Sequence, residues 1–137
     1  MIDATEATKL YHDRIEFVGK RFSIGKNVFI GLYSHLSSGR TSGRLSIGDN
    51  TLIGHLCSIV GVNHKFKKKN QLIKDQGIEE EETIIGKDVW IGANSVILPG
   101  VKIGKGAVVG AGSVITKNIP EFEVWAGNPG RKIGKRI

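Results

Sequence analysis

The histidine at position 64 is the residue best suited to acid–base chemistry in this sequence. It lies in a charged stretch, VNHKFKKK (62–69), that interrupts a regular pattern. An imidazole can take a proton from a hydroxyl group near neutral pH, so His64 could activate an alcohol as a nucleophile. By residue type alone, a solvent-exposed loop histidine beside Lys65 and Lys67 is the more ordinary interpretation.

The other side chains with catalytic potential are weaker candidates. His12 precedes the regular pattern and is expected at the surface, whereas His35 and His55 lie within it. The histidines lack compact metal-ligand spacing, although His55 and His64 with a third ligand could in principle bind zinc. Cys57 is the only cysteine, so no internal disulfide can form, and a small buried core residue is its expected role rather than a nucleophile.

A repeat of six residues positions these side chains. From position 85 to 120, each unit opens with an aliphatic residue, continues with a small one, usually glycine, and has a small or β-branched residue in fifth place. The units are IGKDVW, IGANSV, ILPGVK, IGKGAV, VGAGSV and ITKNIP. The pattern recurs in shifted frames that open at positions 18, 24, 30 and 36 and at 47, 53 and 59. It breaks at 37–44 and at 62–83, and such breaks correspond to loops that leave a repeat architecture.

A parallel β-helix explains this pattern best. Each opening aliphatic residue is expected to point inward and stack on its equivalent one coil away, because a single coil cannot bury its own apolar face. The second-place glycine is expected to supply turn conformations that are closed to other residues. A glycine every six residues would cost an α-helix about 1 kcal/mol each. An antiparallel sandwich, the structural alternative, would not need so strict a period.

Composition and charge fit one folded domain. The 137 residues include 19 glycines and 3 prolines, with aliphatic residues spread evenly among them. The net charge of +7 would suit solubility or an anionic partner; no nucleic-acid-binding signature appears, and a phosphorylated cofactor would fit as well. The sequence shows no signal peptide and no apolar stretch near the roughly 20 residues of a membrane span, so a cytoplasmic protein is expected.

Four stretches together resemble the hexapeptide-repeat, left-handed β-helix acyltransferases, and most closely their sugar and xenobiotic O-acetyltransferase branch. They are VGVNH (60–64), DVWIGAN (88–94), GAGSVITKNIP (110–120) and AGNPGRKI (126–133). The hexapeptides alone also occur in some carbonic anhydrases, whereas the ordered set of stretches is much more specific. The resemblance covers nearly the whole chain from Val18 to Ile133.

This resemblance implies an all-β fold, a left-handed parallel β-helix with about three hexapeptides per coil and one extruded loop near residues 62–83. The chain, 1–137, would form a single domain, with repeats over about 18–120 and a C-terminal tail at 121–137. A helical cap before Val18 would be minimal or absent. The family usually forms trimers with active sites between subunits, so a homotrimer is expected.

The resemblance also assigns roles to individual residues. His64 is expected to be the general base for a hydroxyl that attacks the thioester of acetyl-CoA directly. Trp90 is expected beside the reacting groups, and Tyr33 and His35 are candidates for contacts with the acceptor. Coenzyme A is expected to contact Gly92, Ala93, Gly110, Ala111, Thr116, Lys117, Arg131 and Lys132. Main-chain N–H groups at 92–93 and 110–111 would bind its pantetheine amides, and no metal site is expected.

The implied function is acetyl transfer from acetyl-CoA to a hydroxyl of a saccharide or other small-molecule acceptor, in surface-polysaccharide biosynthesis. Three alternatives remain open from the sequence. They are N-acetylation of an amino sugar, a zinc-dependent carbonic anhydrase-like activity, and a non-catalytic β-helix scaffold.

Overall fold

Three sheets, parallel except for the last strand of one of them, wind around one apolar core in the computed structural model, which describes residues 2–11 and 14–137. Each sheet forms one face of a three-sided coil. Face 1 consists of β1 (Glu16–Val18), β4 (His35–Ser37), β7 (Ser58–Ile59), β12 (Val96–Ile97) and β15 (Val114–Ile115). Face 2 consists of β2 (Phe22–Ile24), β5 (Leu45–Ile47), β10 (Thr83–Ile85) and β13 (Lys102–Ile103). Face 3 consists of β3 (Phe29–Ile30), β6 (Leu52–Ile53), β11 (Trp90–Ile91), β14 (Val108–Val109), β16 (Glu123–Gly127) and β17 (Gly130–Lys135).

The strand registers confirm the predicted stacking of the opening residues. Ile85 pairs with Ile103, and Ile97 pairs with Ile115, each one coil of three hexapeptides further along the chain. From Ile30 onward the opening residues are buried, and Ile91 and Ile97 have no exposed surface, whereas Val18, the first opening residue, is 37% exposed. Burying such a side chain stabilises the fold by about 1.5–3 kcal/mol, so the six-residue period both sets the register and builds the core.

Apart from Gly19, whose φ of 103° fits the predicted turn conformation, the second-place glycine is required for a different reason from the one predicted. The backbone at Gly31, Gly54 and Gly92 is not in the left-handed region. Instead, a Cβ atom on Gly31 would lie 2.4 Å from the backbone nitrogen of His55, and one on Gly54 would lie 2.7 Å from the backbone nitrogen of Ala93. Glycine is therefore needed because adjacent coils approach each other closely at the corners.

The left-handed backbone conformation occurs two places later, in the fourth position of the hexapeptide. Asn27, Asp88 and Asn94 have φ values of 55°, 53° and 60°, and Gly112 has 70°. Asparagine, aspartate and glycine tolerate this region. Tyr33, with φ of 60°, occupies the same position and is a rarer residue there.

Two segments leave the coil at the same corner, the junction from face 1 to face 2, here called the loop corner. The corner insertion (38–44) lies between β4 and β5, and the extruded loop (61–82) lies between β7 and β10. The loop contains its own antiparallel hairpin, β8 (Asn63–His64) with β9 (Ile78–Glu79), and a 3₁₀ turn at Ile73–Asp75. The predicted loop ended at 83, but Thr83 is the first residue of β10 and pairs with Leu45.

The two ends of the coil are closed by short additional elements. The helix α1 (Ala4–Tyr11) starts with a capping box, in which the Glu6 N–H donates to Asp3 Oδ1 at 2.9 Å, and Ala7 is buried. This small cap agrees with the prediction of a minimal one. At the other end, β16 continues face 3 in parallel with β14, beyond residue 120 where the repeat was expected to end.

Among the described residues, no helix has the length and the apolar character that crossing a bilayer requires. His12, which was expected at the surface, lies outside the described residues.

Candidate active site

His64 lies on β8 of the extruded loop and is exposed. The antiparallel register places it opposite Ile78, and its neighbour Asn63 opposite Glu79. A cavity of about 390 Å³ opens beside it and is lined by His64, Lys65, Phe66, Lys67, Lys68, Gln76 and Glu79. This volume is in the range of small-ligand sites. The predicted base is therefore accessible and borders a space that an acceptor could occupy.

The extruded loop is tied to the corner insertion through Glu80. The Glu80 carboxylate accepts hydrogen bonds from the backbone N–H groups of Arg40, Thr41 and Ser42 and from the Thr41 hydroxyl. These bonds lower the pKa of Glu80 to about 2, and the bond from the Thr41 hydroxyl has the largest effect. Because Glu80 directly follows β9, the tie fixes the strand that pairs with the His64 strand.

A second contact holds the other end of the loop. A Cβ atom on Gly61 would lie 2.3 Å from the Gly39 nitrogen, and a Cβ atom on Gly39 would lie 2.5 Å from Glu80 Oε1. The chain thus passes close to the corner insertion where it enters the loop, at Gly61, and where it leaves, at Glu80. The hairpin that carries His64 rests on the corner insertion at both of its ends.

The three predicted acceptor contacts do not line the cavity beside His64. Trp90 is 56% exposed on the outer surface of face 3, between Leu52 and Val108. Tyr33 is 60% exposed at the corner from face 3 to face 1. His35 lies on the outer surface of face 1, where its Nδ1 is 3.1 Å from Glu16 Oε2. Within one chain, the fold does not bring Tyr33, His35 or Trp90 to that cavity.

The geometry of a three-sided coil explains the separation of Trp90 from His64. The loop corner is the junction of faces 1 and 2, so it lies opposite face 3, which carries Trp90. A site that uses both residues would need Trp90 from one chain and His64 from another.

Four of the predicted coenzyme A contacts are brought together at the corner from face 3 to face 1, here called the alanine corner. A Cβ atom on Gly92 would lie 2.5 Å from the Ala111 nitrogen. The N–H groups of Gly92 and Gly110 are used within the coil, donating to the carbonyls of Val109 and Trp125 at 2.8 Å each. The main-chain prediction is therefore corrected for these two glycines, because coil formation already occupies their donors.

The neighbouring alanines remain suitable donors. Within residues 2–11 and 14–137, the N–H groups of Ala93 and Ala111 have no hydrogen-bond acceptor. At the same corner of an earlier coil, a side chain from the next coil fills this role, because the Leu32 N–H donates to His55 Nδ1 at 2.8 Å. An alanine side chain cannot accept a hydrogen bond, so these two amides are left open to solvent or to a ligand.

The other four predicted coenzyme A contacts lie elsewhere on the coil. Thr116 and Lys117 are exposed at the loop corner after β15, and Arg131 and Lys132 lie on β17. Lys132 Nζ forms a salt bridge of 3.0 Å with Glu123 Oε2, whereas the Arg131 side chain, as far as the described residues go, donates only to the adjacent Gly130 carbonyl. Of this group, Lys132 has its charge partly compensated, and Lys117 and Arg131 are the more available cations.

His55 and Cys57 have structural positions. The Nδ1 atom of His55 accepts a hydrogen bond from the Leu32 N–H at 2.8 Å, as Asp49 does from Lys26. Cys57 is 1% exposed, and burial raises the pKa of its thiol, which disfavours the nucleophilic thiolate. In the described part of the chain, no cluster of three or more His, Cys, Asp or Glu side chains could hold a metal ion. The zinc alternative thus lacks a ligand set among these residues.

Sequence reasoning missed the role of Glu80, which lies in a charged run that usually indicates a solvated loop. A signal was present in the spacing of the repeat. The breaks at 37–44 and 62–83 both follow the third hexapeptide of a coil, so both had to lie at the same corner, one coil apart. Two segments leaving one corner on adjacent coils are expected to touch.

Two family models match the chain. The model described as bacterial transferase hexapeptide (six repeats) matches residues 82–117, and the model described as hexapeptide repeat of succinyl-transferase matches residues 44–63. Among curated proteins, the galactoside O-acetyltransferase of Escherichia coli (strain K12) is 39% identical over 119 residues, covering 82% of this chain and 56% of that protein. The first relatives found are longer, and the chain spans between 26% and 63% of their length.

Solved structures share the architecture. Galactoside acetyltransferase in complex with coenzyme A superposes with a TM-score of 0.76 at 34% identity, covering 88% of this chain and 58% of that one. A mutant of AntD, an N-acyltransferase from Bacillus cereus, in complex with dTDP-4-amino-4,6-dideoxyglucose and coenzyme A, gives 0.80 at 26% identity, covering 93% and 69%. The predicted left-handed winding of the β-helix is confirmed by these likenesses.

Proposed function

Because the chain belongs to the hexapeptide-repeat acyltransferase family, we propose that it transfers an acetyl group from acetyl-CoA to a hydroxyl of a saccharide acceptor, with His64 as general base. The observation that carries this proposal is the position of His64, exposed at a cavity of about 390 Å³ on a loop anchored at both ends. A base must reach the acceptor proton while its own position is fixed.

The proposed step needs no acyl-enzyme. His64 takes the proton of the acceptor hydroxyl while the hydroxyl oxygen attacks the thioester carbonyl carbon. The carbon–oxygen bond forms, the carbon–sulfur bond breaks, and the imidazolium of His64 returns the proton to the departing thiolate. The buried thiol of Cys57, 1% exposed, supports direct transfer because it cannot reach a thioester outside the coil.

For coenzyme A, the alanine corner is the proposed binding surface. The open N–H groups of Ala93 and Ala111 suit the amide carbonyls of pantetheine, and Lys117 and Arg131, which lie outside this corner, suit the phosphates of coenzyme A. Gly92 and Gly110 would contribute by allowing close approach, and Thr116 and Lys132 remain predicted contacts.

We also propose that copies of this chain assemble as a homotrimer, with Trp90 of one copy near His64 of another. The outer surface of face 3 supports this arrangement. It carries a row of apolar side chains in register, with Phe29, Leu52 and Trp90 about half exposed and Val108 and Val124 beside them. Apolar rows of this kind indicate protein contacts. A cytoplasmic location and a role in surface-polysaccharide synthesis remain part of the proposal.

N-acetylation of an amino sugar is a second candidate, supported by the likeness to AntD, an N-acyltransferase. An ammonium group must also lose a proton before it attacks, so His64 would have the same role. Only the acceptor distinguishes the two reactions.

Release of free thiol from acetyl-CoA, measured against sugars and amino sugars, tests the proposal. We expect acceptor-dependent release by the wild type and a loss of about 10²–10⁴-fold in His64→Ala, the usual contribution of a general base. His55→Asn is the matched control, because an asparagine can still accept the Leu32 N–H and should preserve activity. A folded His64→Ala variant with full activity would refute the assignment of the base. A protein that neither binds acetyl-CoA nor releases thiol would favour the scaffold alternative.

A further inference from the structure

The cavity beside His64 has an excess of positive charge. Three of its lining residues are lysines, at positions 65, 67 and 68, and Glu79 is its only acidic lining residue. Cations that converge on a small concave surface raise the local concentration of anions and attract anionic ligands. The charge of this cavity therefore favours an anionic acceptor beside His64.

The charges of these three lysines are not compensated by an ion pair, unlike those of Lys74 and Lys132. Lys74 lies 3.1 Å from Asp75, and Lys132 lies 3.0 Å from Glu123. For Lys65, Lys67 and Lys68, no carboxylate lies within ion-pair distance in the described part of the chain. Their ammonium groups remain available to a ligand.

The backbone that carries these lysines is held in place within the loop. The Lys68 N–H donates to Gln76 Oε1 at 3.1 Å, and Gln76 Nε2 donates to the Lys68 carbonyl at 2.8 Å. The Lys65 N–H donates to the Gly77 carbonyl at 3.0 Å. Because both ends of the basic run are bonded across the loop, little further ordering is needed when a ligand binds.

We propose that the acceptor carries a phosphate group and that Lys65, Lys67 and Lys68 hold this group beside His64. This inference rests on the proposed acetyl transfer and names the acceptor class as a phosphorylated saccharide. Lysine binds phosphate oxygens as a compact charge with three donors. Phe66, 66% exposed at the same cavity, offers an apolar surface against which a sugar or a base can pack.

Acetyl transfer to matched acceptors tests the inference. Each hexose is offered free, as its 1-phosphate and as its nucleoside diphosphate ester. We expect the phosphorylated forms to have the higher kcat/KM, and added salt to raise their KM without affecting the free sugar. If the nucleoside diphosphate ester alone is used, the ligand is a nucleotide sugar; if both are used, the phosphate suffices. Equal kcat/KM for free and phosphorylated sugars would overturn the proposal.

Variants that remove the charge of one lysine at a time test which side chains hold the phosphate group of the acceptor. Lys67→Met and Lys68→Met keep the aliphatic stem, and each should raise the acceptor KM about tenfold, the loss expected for one charge-assisted bond. Lys69→Met is the matched control, because Lys69 is adjacent but does not line the cavity. An increase in the KM for acetyl-CoA instead would mean that these lysines hold the phosphates of coenzyme A, and the proposal would be wrong.

A binding measurement separates failure of this inference from failure of the proposed function. If no acceptor is acetylated, titration calorimetry with a hexose 1-phosphate still reports on the cavity. Binding that is weakened in Lys67→Met and Lys68→Met, but not in Lys69→Met, would support the phosphate site while the transferase assignment fails. Absence of binding by the wild type would overturn the phosphate site.

Discussion

At the scale of single residues, the second and fourth places of the hexapeptide restrict side chains for different reasons. At the second place, the next coil is so close that a Cβ atom has no room, as at Gly92. At the fourth place, the backbone is left-handed, and Gly112 there faces open space. The first restriction is steric and between coils, whereas the second is conformational and local.

This difference predicts unequal effects of two glycine substitutions on the stability of the fold. Gly92→Ala should lower the free energy of unfolding by about 1–3 kcal/mol, the usual cost of forcing an atom into a packed site. Gly112→Asn should be nearly neutral, because asparagine tolerates positive φ and Asn94 already occupies the equivalent place one coil earlier. Urea unfolding of both variants measures the two effects. Similar losses in both would contradict the assignment.

Cys57 belongs to a set of fifth-place residues whose polar atoms face a carbonyl of the neighbouring coil. Its Sγ lies 3.2 Å from the Gly92 carbonyl, and the Ser34 hydroxyl donates to the Gly54 carbonyl at 3.0 Å in the same way. We therefore expect Cys57→Ser to fold with stability within about 1 kcal/mol of the wild type and to keep its acetyl-transfer rate. Thiol-release kinetics check this, and a folded but inactive variant would point to an acyl-cysteine intermediate.

At the scale of elements, the extruded loop depends on the corner insertion. The bonds from Thr41 and its neighbours to Glu80 connect two segments that both leave the coil. Loops that carry functional residues need such support, because a small displacement of the base reduces the rate strongly.

Glu80→Gln should loosen this connection, because an amide has one acceptor oxygen where the carboxylate has two. We expect faster hydrogen exchange of the amides at 40–42, faster trypsin cleavage within 65–69, and a lower kcat. Glu82→Gln, an exposed neighbour in the same acidic run, is the control and should change none of these.

Acid should have the same effect as the substitution. The folded-state pKa of Glu80, about 2, lies below its ordinary 4.5, so the tie is fully present above pH 4.5 and is lost as the pH falls towards 2. Exchange at 40–42, corrected for the intrinsic pH dependence of amide exchange, should rise over this interval in the wild type and not in Glu80→Gln. A pH-independent corrected rate would contradict the tie.

At the scale of the whole molecule, face 3 is the surface best suited to a second copy of the chain. Leu52 lies within its apolar row, between Phe29 and Trp90. Because a trimer would bring face 3 of one copy towards the loop corner of another, assembly and catalysis are expected to depend on each other.

Leu52→Glu should therefore give monomers with little activity, because burying an unpaired carboxylate at an interface costs several kcal/mol. Ser46→Glu, at an outward position of face 2, is the matched control and should still assemble. Analytical ultracentrifugation measures the oligomeric state of both variants. A monomeric wild type, or a Leu52→Glu variant that remains trimeric, would exclude face 3 as the interface.

The sequence by itself determined the coil, its register and the two places where the chain leaves it. The six-residue period is a local property, and an aliphatic residue such as Ile85 or Ile91 must be buried wherever the coil stacks. The family motifs made His64 the predicted base for a similar reason, since its motif is contiguous in the chain.

The tertiary structure alone decided which residues of the corner insertion and the extruded loop meet. Glu80 and Arg40 are 40 positions apart, and nothing local to either predicts their hydrogen bond. The reason for the second-place glycine also became clear only from the spacing between coils. Side-chain periodicity is fixed by the backbone of one segment, whereas the anchoring of His64 and the charge of its cavity arise from segments that folding brings together.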